Sequence, residues 1–332
     1  MDNVNAKYVS QKISKTRWRP VSYSSLQHAD VFATGSWDNE DNKISLWSIG
    51  SSGTDDGFEG DPQLLCEHKH DGDVLDLQTM SVSQRWERAH HYPCDNAPCT
   101  GIVCSTPEIV SVGEDGRIIV FRSDHEGVVR VIENADSSTI HAVTYLRTTE
   151  ILTVNSIGQL KLWDLRQQSN SPSQILSLSG DRVPLHCVDR HPNQQHIVAT
   201  GGQDGMLCVW DVRQGNTPFS LMEAHSAEMW EVHFHPTNPD HLFTCSEDGS
   251  LLHWEASSQS DMPSFLQGKF CLRLNQSLIS AWLSGDSSKG RLETTHMLPS
   301  QTLSVNSLDV LGQCLVCGTD GEAIFVNRQV PV

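Results

Sequence analysis

The sequence predicts an all-β fold, a closed ring of repeated four-stranded sheets, and three observations carry that reading. A turn-plus-strand pattern recurs along the 332 residues, successive copies of it lie 42, 47 and 44 residues apart, and the copies share two apolar columns. The clearest copy is Gly201 to Gly215, GGQDGMLCVWDVRQG. Asp204-Gly205 marks a tight turn, because glycine takes positive φ without steric cost. The alternation after it puts Leu207 and Val209 on one face of a strand and Met206, Cys208 and Trp210 on the other. A single strand cannot bury itself, so the copies must pack on one another.

Anchored at Gly205, the pattern returns as EDGRIIVF (Glu114–Phe121), SIGQLKLW (Ser156–Trp163) and EDGSLLHW (Glu247–Trp254). An earlier copy, EDNKISLW, has Asn42 in place of the glycine; a late copy, TDGEAIFV, has Val326 in place of the tryptophan. The second residue after the anchor is Ile44, Ile118, Leu160, Leu207, Leu251 and Ala323. The fourth is Leu46, Val120, Leu162, Val209, His253 and Phe325, and only His253 breaks these columns. The spacing matches the roughly 40–45 residues of a WD-type repeat, which is one four-stranded propeller blade. The tails LWDLR, VWDVR and the degenerate HWEAS agree. The expectation is a WD40 β-propeller of seven blades with the second incomplete, forming one domain over residues 1–332. The stretch Lys7–Trp18 precedes the first repeat and is expected to complete the last blade (Ser307–Arg328), which locks the ring.

The second repeat starts normally with HDGDVLDLQ, Val74 and Leu77 holding first-strand positions. From Leu77 to His90 is 13 residues, whereas the equivalent step from Val188 to His225 is 37. The 24 missing residues correspond to two strands and their turn. Strands are therefore expected to be missing after residue 77, where QTMSV joins ends that the middle of a blade should separate.

Composition narrows the function. Lys+Arg 23 against Asp+Glu 41 gives a net charge of −18, which repels phosphate backbones, so no direct nucleic-acid binding is expected. The most basic stretch, Lys12–Pro20, alternates with apolar residues and reads as a strand. Nothing at Met1 resembles a signal peptide and no apolar run spans a bilayer, so a soluble intracellular protein with reduced cysteines and no membrane insertion is expected.

YVSQKISKTRWRP (Tyr8–Pro20), FATGSWDNEDNKISLWSIG (Phe32–Gly50), RVPLHCVDRHPNQQHIVATGGQDGM (Arg182–Met206) and AEMWEVHFHP (Ala227–Pro236) resemble a family of WD-repeat nucleoporins belonging to the Y-shaped scaffold complex of the nuclear pore. The likeness runs from Ala6 to Asn327, apart from the second repeat and a shortened segment around Ser258–Asn275. It implies a non-enzymatic docking subunit with other Y-complex nucleoporins as partners. It also implies nuclear-envelope localisation, a part in nucleocytoplasmic transport, and a kinetochore role in mitosis. None of the nine phenylalanines is followed by glycine, which separates this chain from gel-forming nucleoporins.

Catalytic, cofactor and metal sites are all expected to be absent. His225, Ser246, Asp248 and Trp254 hold the residue types of a triad, but in WD repeats such a set ties strands together and satisfies buried polar groups. No G-x-S-x-G, P-loop, H-E-x-x-H or G-x-G-x-x-G motif occurs, which leaves a hydrolase built on the histidines unsupported. His90, His91, Cys94, Cys99 and Cys104 fit no common zinc spacing, and Cys314 and Cys317 lie three apart in a strand, facing opposite sides. His191 and His235 precede proline and read as turn residues. Trp-Asp-x-Arg at Trp163–Arg166 and Trp210–Arg213 resembles the box by which some propellers dock on the cullin-4 ubiquitin-ligase adaptor. Arg166 and Arg213 are therefore candidate docking residues for a substrate receptor of that ligase.

Overall fold

The computed structural model describes residues 4–20, 29–49, 61–78, 89–178, 182–256, 281–283, 292–299 and 303–332. They form six antiparallel four-stranded sheets arranged as propeller blades, named here by repeat. The first blade holds Ile13–Trp18, Val31–Ser36, Asn42–Ser48 and Gln63–His70; the third holds Cys99–Ser105, Glu108–Gly113, Ile118–Arg122 and Val128–Ile132. The fourth runs from Ile140–Arg147 to Gln174–Ser177, the fifth from Leu185–Arg190 to Ser220–Glu223, and the sixth from Met229–Phe234 to Leu292–His296. The seventh comprises Val305–Leu311, Cys314–Thr319 and Ala323–Asn327, with Val4–Tyr8 paired antiparallel on Ala323–Asn327. The N-terminal stretch is thus two strands. Val4–Tyr8 closes the seventh blade, and Ile13–Trp18 is the innermost strand of the first. A turn at Val9–Lys12, with Ser10 at φ 57, separates the two.

The blades cohere through seams. Ile118 and Val120 of the third blade pack on Ile140, Ile151 and Trp163 of the fourth. Leu160 meets Leu185, Val198 and Trp210, and Leu207 and Val209 meet Met229, Leu242 and Trp254. Leu251 meets Val305, Val310 and Leu315, and Val316, Ile324 and Val326 meet Ile13, Phe32 and Trp47. The apolar columns read from the sequence are therefore the faces each blade turns to the next, with one exception. In the seventh repeat Glu322, not Gly321, takes the positive-φ turn position (φ 55), so Ile324 and Val326 hold the columns expected of Ala323 and Phe325. A one-residue slip moves every side chain to the other face of a strand.

Five such seams exist among the described residues; the sixth, between the first and third blades, is different. No strand is described between His70 and Cys99, and residues 79–88 lie outside the described set, as does the segment 258–275. Ile44 and Leu46, whose counterparts Leu207 and Val209 are fully buried, stay half-exposed. Across the seam, Ile109 and Phe121 hold the register of Ile151 and Trp163 yet are also only half-buried. The described part of the second repeat before residue 79 holds a single extended segment wedged at the axis. Val74 N–H donates to Ser36 O (3.1 Å) and Val74 O accepts from Ser14 Oγ (2.6 Å). Asp76 then accepts from Ile102 N–H of the third blade (2.8 Å) and pairs with Arg17 of the first (3.3 Å). Six blades and this wedge make up the described ring, where seven blades with an incomplete second were expected.

Candidate functional site

The hydroxyl–imidazole set of the sixth blade is a chain of donors and acceptors with a definite direction. Trp254 Nε1–H donates to Thr244 Oγ1 (3.0 Å), which lies 2.7 Å from His225 Nε2. His225 Nδ1 lies 2.8 Å from Ser250 Oγ, and Ser250 Oγ–H donates to Asp248 Oδ1 (2.6 Å). Satisfying every partner requires Thr244 to donate to Nε2 and His225 Nδ1–H to donate to Ser250. The serine proton thus points to Asp248, not to the imidazole, the reverse of a nucleophile activated by histidine. The His225 side chain is fully buried, and burial pushes its pKa below the usual value against the pull of Asp248. Burial also opposes ionisation of Asp248, but hydrogen bonds from Ser250 and the Ser226 and Ser250 amides outweigh it and lower that pKa.

Ser246 takes another place. It donates to Ala227 O (3.3 Å) and accepts from Asp248 N–H, so the hydroxyl between imidazole and indole is Thr244's. The same indole-to-threonine bond recurs from Trp47 to Thr34, Trp163 to Thr153 and Trp210 to Thr200, at 2.9–3.0 Å. A sequence signal exists for it: in the fourth, fifth and sixth repeats the threonine lies five residues before the turn glycine and the tryptophan five after. His90 sets up the third blade alike, with Nδ1 on Asp115 and Nε2 on Ser111, both at 2.9 Å.

The ring axis carries a second cluster, which patterning did not single out. Arg17 Nη2 reaches Glu231 Oε1 (2.8 Å), Lys15 Nζ reaches the same oxygen (2.6 Å), and Ser307 Oγ and Leu308 N–H donate to Oε2. Burial works against the Glu231 charge; Arg17 and Lys15 outweigh it and hold the carboxylate well below its ordinary pKa. Asp189 and Asp309 accept from Phe234 N–H and Trp18 N–H of the following blades. These groups line an axial cavity of about 390 Å³. Glu231 ties the sixth blade to the seventh and the first, Asp189 ties the fifth to the sixth, and Asp309 ties the seventh to the first. Burial pushes the Asp189 and Asp309 carboxyls above their usual pKa, against the pull of His233 on the first and of Arg17 on the second, and the arrangement clamps the ring.

The remaining candidates are placed as follows. Arg166 forms a two-pronged pair with Asp164 (2.9 Å each), and Arg213 does the same with Asp211 (2.9 and 2.7 Å). The Arg166 bond lowers the Asp164 pKa to about 2. Both guanidinium side chains remain largely exposed, at 66% and 54%. His191 Nδ1 accepts from the Asn193 and Gln194 amides, and His235 Nδ1 from that of Asn238, capping turns. Cys94 and Cys99 are exposed, Cys104 and Cys314 half-buried and Cys317 buried. Among the described residues no three ligand-type side chains converge, and no helix is long and apolar enough to cross a membrane.

Comparison with known proteins adds the following. The family described as WD domain, G-beta repeat matches residues 172–211 and 216–255. The chain is 60% identical over 380 aligned positions to nucleoporin Nup43 of Homo sapiens, covering 99% of this chain and 100% of that protein. It is 60% identical over 378 positions to nucleoporin Nup43 of Mus musculus, with the same coverage. The nuclear pore complex protein nup43 of Dictyostelium discoideum is 23% identical over 223 residues, 66% of this chain and 51% of that protein. An alignment of 380 positions to a chain of 332 residues leaves the human relative with several dozen residues that have no counterpart here.

Proposed function

The chain belongs to the Nup43 family of nucleoporins, and from that premise we propose that it is a non-enzymatic scaffold and docking subunit of the nuclear pore. The observation that carries this reading is identity sustained over 99% of the chain to two nucleoporins. The geometry supports it. The His225 chain and the axial cluster are engaged in holding strands and blades together, while the outer strands present a broad surface. One propeller domain spans the chain, docks other Y-complex nucleoporins at the nuclear envelope and supports transport through the pore. A kinetochore role in mitosis is the finer part of the same reading. The test is a tagged chain expressed in cells: co-purification with Y-complex nucleoporins and staining of the nuclear rim are expected. Diffuse staining with no nucleoporin recovered, matched against the human relative under the same conditions, overturns it.

A second reading, a substrate receptor of a cullin-4 ubiquitin ligase, has one observation in its favour. Arg166 and Arg213 are exposed at equivalent places on adjacent blades, where their free N–H groups can still meet acceptors.

A further inference from the structure

We propose that Ser171 and Thr217 are phosphorylation sites for a proline-directed protein kinase. The sequence holds Ser-Pro or Thr-Pro at three places, Thr106-Pro107, Ser171-Pro172 and Thr217-Pro218. The last two take the same place in adjacent repeats: Arg166 to Pro172 reads RQQSNSP and Arg213 to Pro218 reads RQGNTP. After each of these prolines the next amide enters the sheet alike, Ser173 N–H on Leu162 O and Phe219 N–H on Val209 O, both at 2.8 Å. Ser177 N–H, on the outer strand that follows Ser171, donates to Asn216 O beside Thr217 (2.8 Å). The two sites therefore lie on adjoining blades of one rim.

A kinase needs a hydroxyl that is exposed, unbonded and carried on a segment that can lie extended in its cleft. Ser171 and Thr217 are exposed, and neither hydroxyl makes a hydrogen bond among the described residues. Each precedes a proline, which holds its backbone extended. Their loops run nine residues (165–173) and eight (212–219) between strands. The neighbouring serines fail the same test. Ser173 Oγ donates to Leu162 O (3.0 Å), Ser169 Oγ accepts from Ser171 N–H (3.1 Å), and neither precedes proline. Thr106 is exposed, but it and Pro107 form the whole turn between Ser105 and Glu108, which pair with each other. Pro107 O also accepts from Ser123 N–H (2.8 Å), so Thr106 cannot extend without opening its blade. The motif offers three sites and the fold selects two.

In the transfer, an O–P bond forms between the Ser171 or Thr217 hydroxyl oxygen and the γ-phosphorus of ATP. The bond from that phosphorus to the β,γ-bridging oxygen breaks, ADP leaves with the electron pair, and the hydroxyl proton passes to the kinase's base. Each phosphate brings about 1.5–2 negative charges into its loop. Each loop also carries an exposed guanidinium, Arg166 or Arg213. At Ser171 a second arginine, Arg130 of the third blade, already reaches Ser169 O (2.9 Å). A phosphate is a stronger acceptor than that carbonyl. The sites do not depend on the docking role of the proposed function.

The test is the full folded chain incubated with ATP and a purified mitogen-activated protein kinase, read by intact mass and by phosphopeptide mapping, with melting temperature as a check on the fold. Two phosphates are expected, at Ser171 and Thr217. S171A and T217A should each remove one, and the double variant both, with unchanged melting. P172A and P218A keep the hydroxyls and should each slow modification of the residue before them. Thr106 should be modified at least about tenfold more slowly than the other two, because it must wait for local opening of its blade. Either hydroxyl left unmodified, a rate at Thr106 that matches the other two, or a proline variant modified as fast as the parent overturns the proposal.

Discussion

Val74 fills the space that the absent side chain of Gly35 leaves: a β-carbon on Gly35 would lie 2.7 Å from Val74 Cβ. The same relation recurs where blades are complete. A β-carbon on Gly201 would lie 2.7 Å from Met229 Cγ, and one on Gly318 would lie 2.8 Å from Ile13 Cβ. In each case a glycine on the second strand of one blade admits the first apolar residue of the next blade's innermost strand. Val74 therefore occupies the place of a blade's first residue although no further strand of that blade is described. The wedge is docked as an inner strand.

That relation makes Gly35→Ala a test of the wedge. The added methyl should cost about 1–3 kcal/mol by overpacking. Val74→Ala should remove buried apolar contact and lower stability too, but it vacates the space the Gly35→Ala methyl needs. The double variant should be more stable than the sum of the single losses implies, with a coupling of about 0.5–3 kcal/mol in denaturant titrations. Strict additivity would mean that Val74 does not sit on Gly35 in solution.

The half-exposed pairs Ile44/Leu46 and Ile109/Phe121 lead to a second expectation. Inserting about 24 residues of strand–turn–strand after Leu77, at about 3.3 Å per strand residue enough for two strands, should bury both faces. The melting temperature should rise by about 2–4 °C for each kcal/mol gained. Aggregation on heating should fall, since unpaired edges and apolar faces template it. An unchanged melting curve and soluble fraction would count against a deleted half-blade.

His253, the one polar member of the fourth-residue column, leads to a pH dependence. It is 3% exposed, stacks on Phe243 at 4.8 Å, and its Nε2 lies 2.8 Å from His241 Nδ1. Burial, then His241 beside it, lowers its pKa from 6.5 to about 4. Between those values the unfolded chain holds a proton on this residue and the folded chain does not. Its contribution is therefore fully present above about 6.5 and is lost as pH falls towards 4. His253→Leu should flatten this part of the stability–pH curve. At neutral pH it should still cost about 1–3 kcal/mol, because the ring nitrogen of His241 is left buried without a partner. Denaturation midpoints at several pH values, in both proteins, would decide it; parallel curves would refute the assignment.

His225→Ala should lower stability by about 1–3 kcal/mol, because Thr244 and Ser250 each lose a buried partner. It should abolish no activity. A hydrolytic turnover that disappears in a His225→Ala protein of unchanged stability would speak for a catalytic imidazole.

Blade periodicity was legible because each repeat buries the same columns, and a period of about 44 residues survives single failures such as Asn42 or His253. Other features were not. The slip at Glu322 was hidden because Gly321 satisfies the sequence pattern while the next residue takes the positive φ. The split of Lys7–Trp18 was hidden because the turn between its strands carries no glycine or proline; Ser10 takes the positive φ. At the His225 chain, Ser246 was the natural choice for the hydroxyl by residue type. The Thr–Gly–Trp spacing shared with the fourth and fifth repeats, and the pairing of Leu242 with Trp254, place Thr244 rather than Ser246 under the indole. The axial cluster is illegible locally, since Arg17 and Glu231 are 214 residues apart and meet only when the ring closes.

The last expectation separates the two functional readings. Arg166 and Arg213 already spend two N–H groups each on Asp164 and Asp211, and the exposed remainder is what an acidic or carbonyl-rich partner surface would engage. A receptor that docks through them loses its charge-assisted hydrogen bonds when both become alanine, and recovery of the cullin-4 adaptor should be abolished. A scaffold subunit that docks through a broad propeller surface loses little, because solvent screens exposed ion pairs at a strand end. Arg166→Ala/Arg213→Ala should therefore still co-purify with Y-complex nucleoporins and still mark the nuclear rim. The measurement belongs in both this chain and a form with the second blade restored, so that an assembly defect of the open seam is not mistaken for an arginine effect. Rim staining lost together with adaptor binding, in the restored form, would transfer the assignment to the ligase receptor.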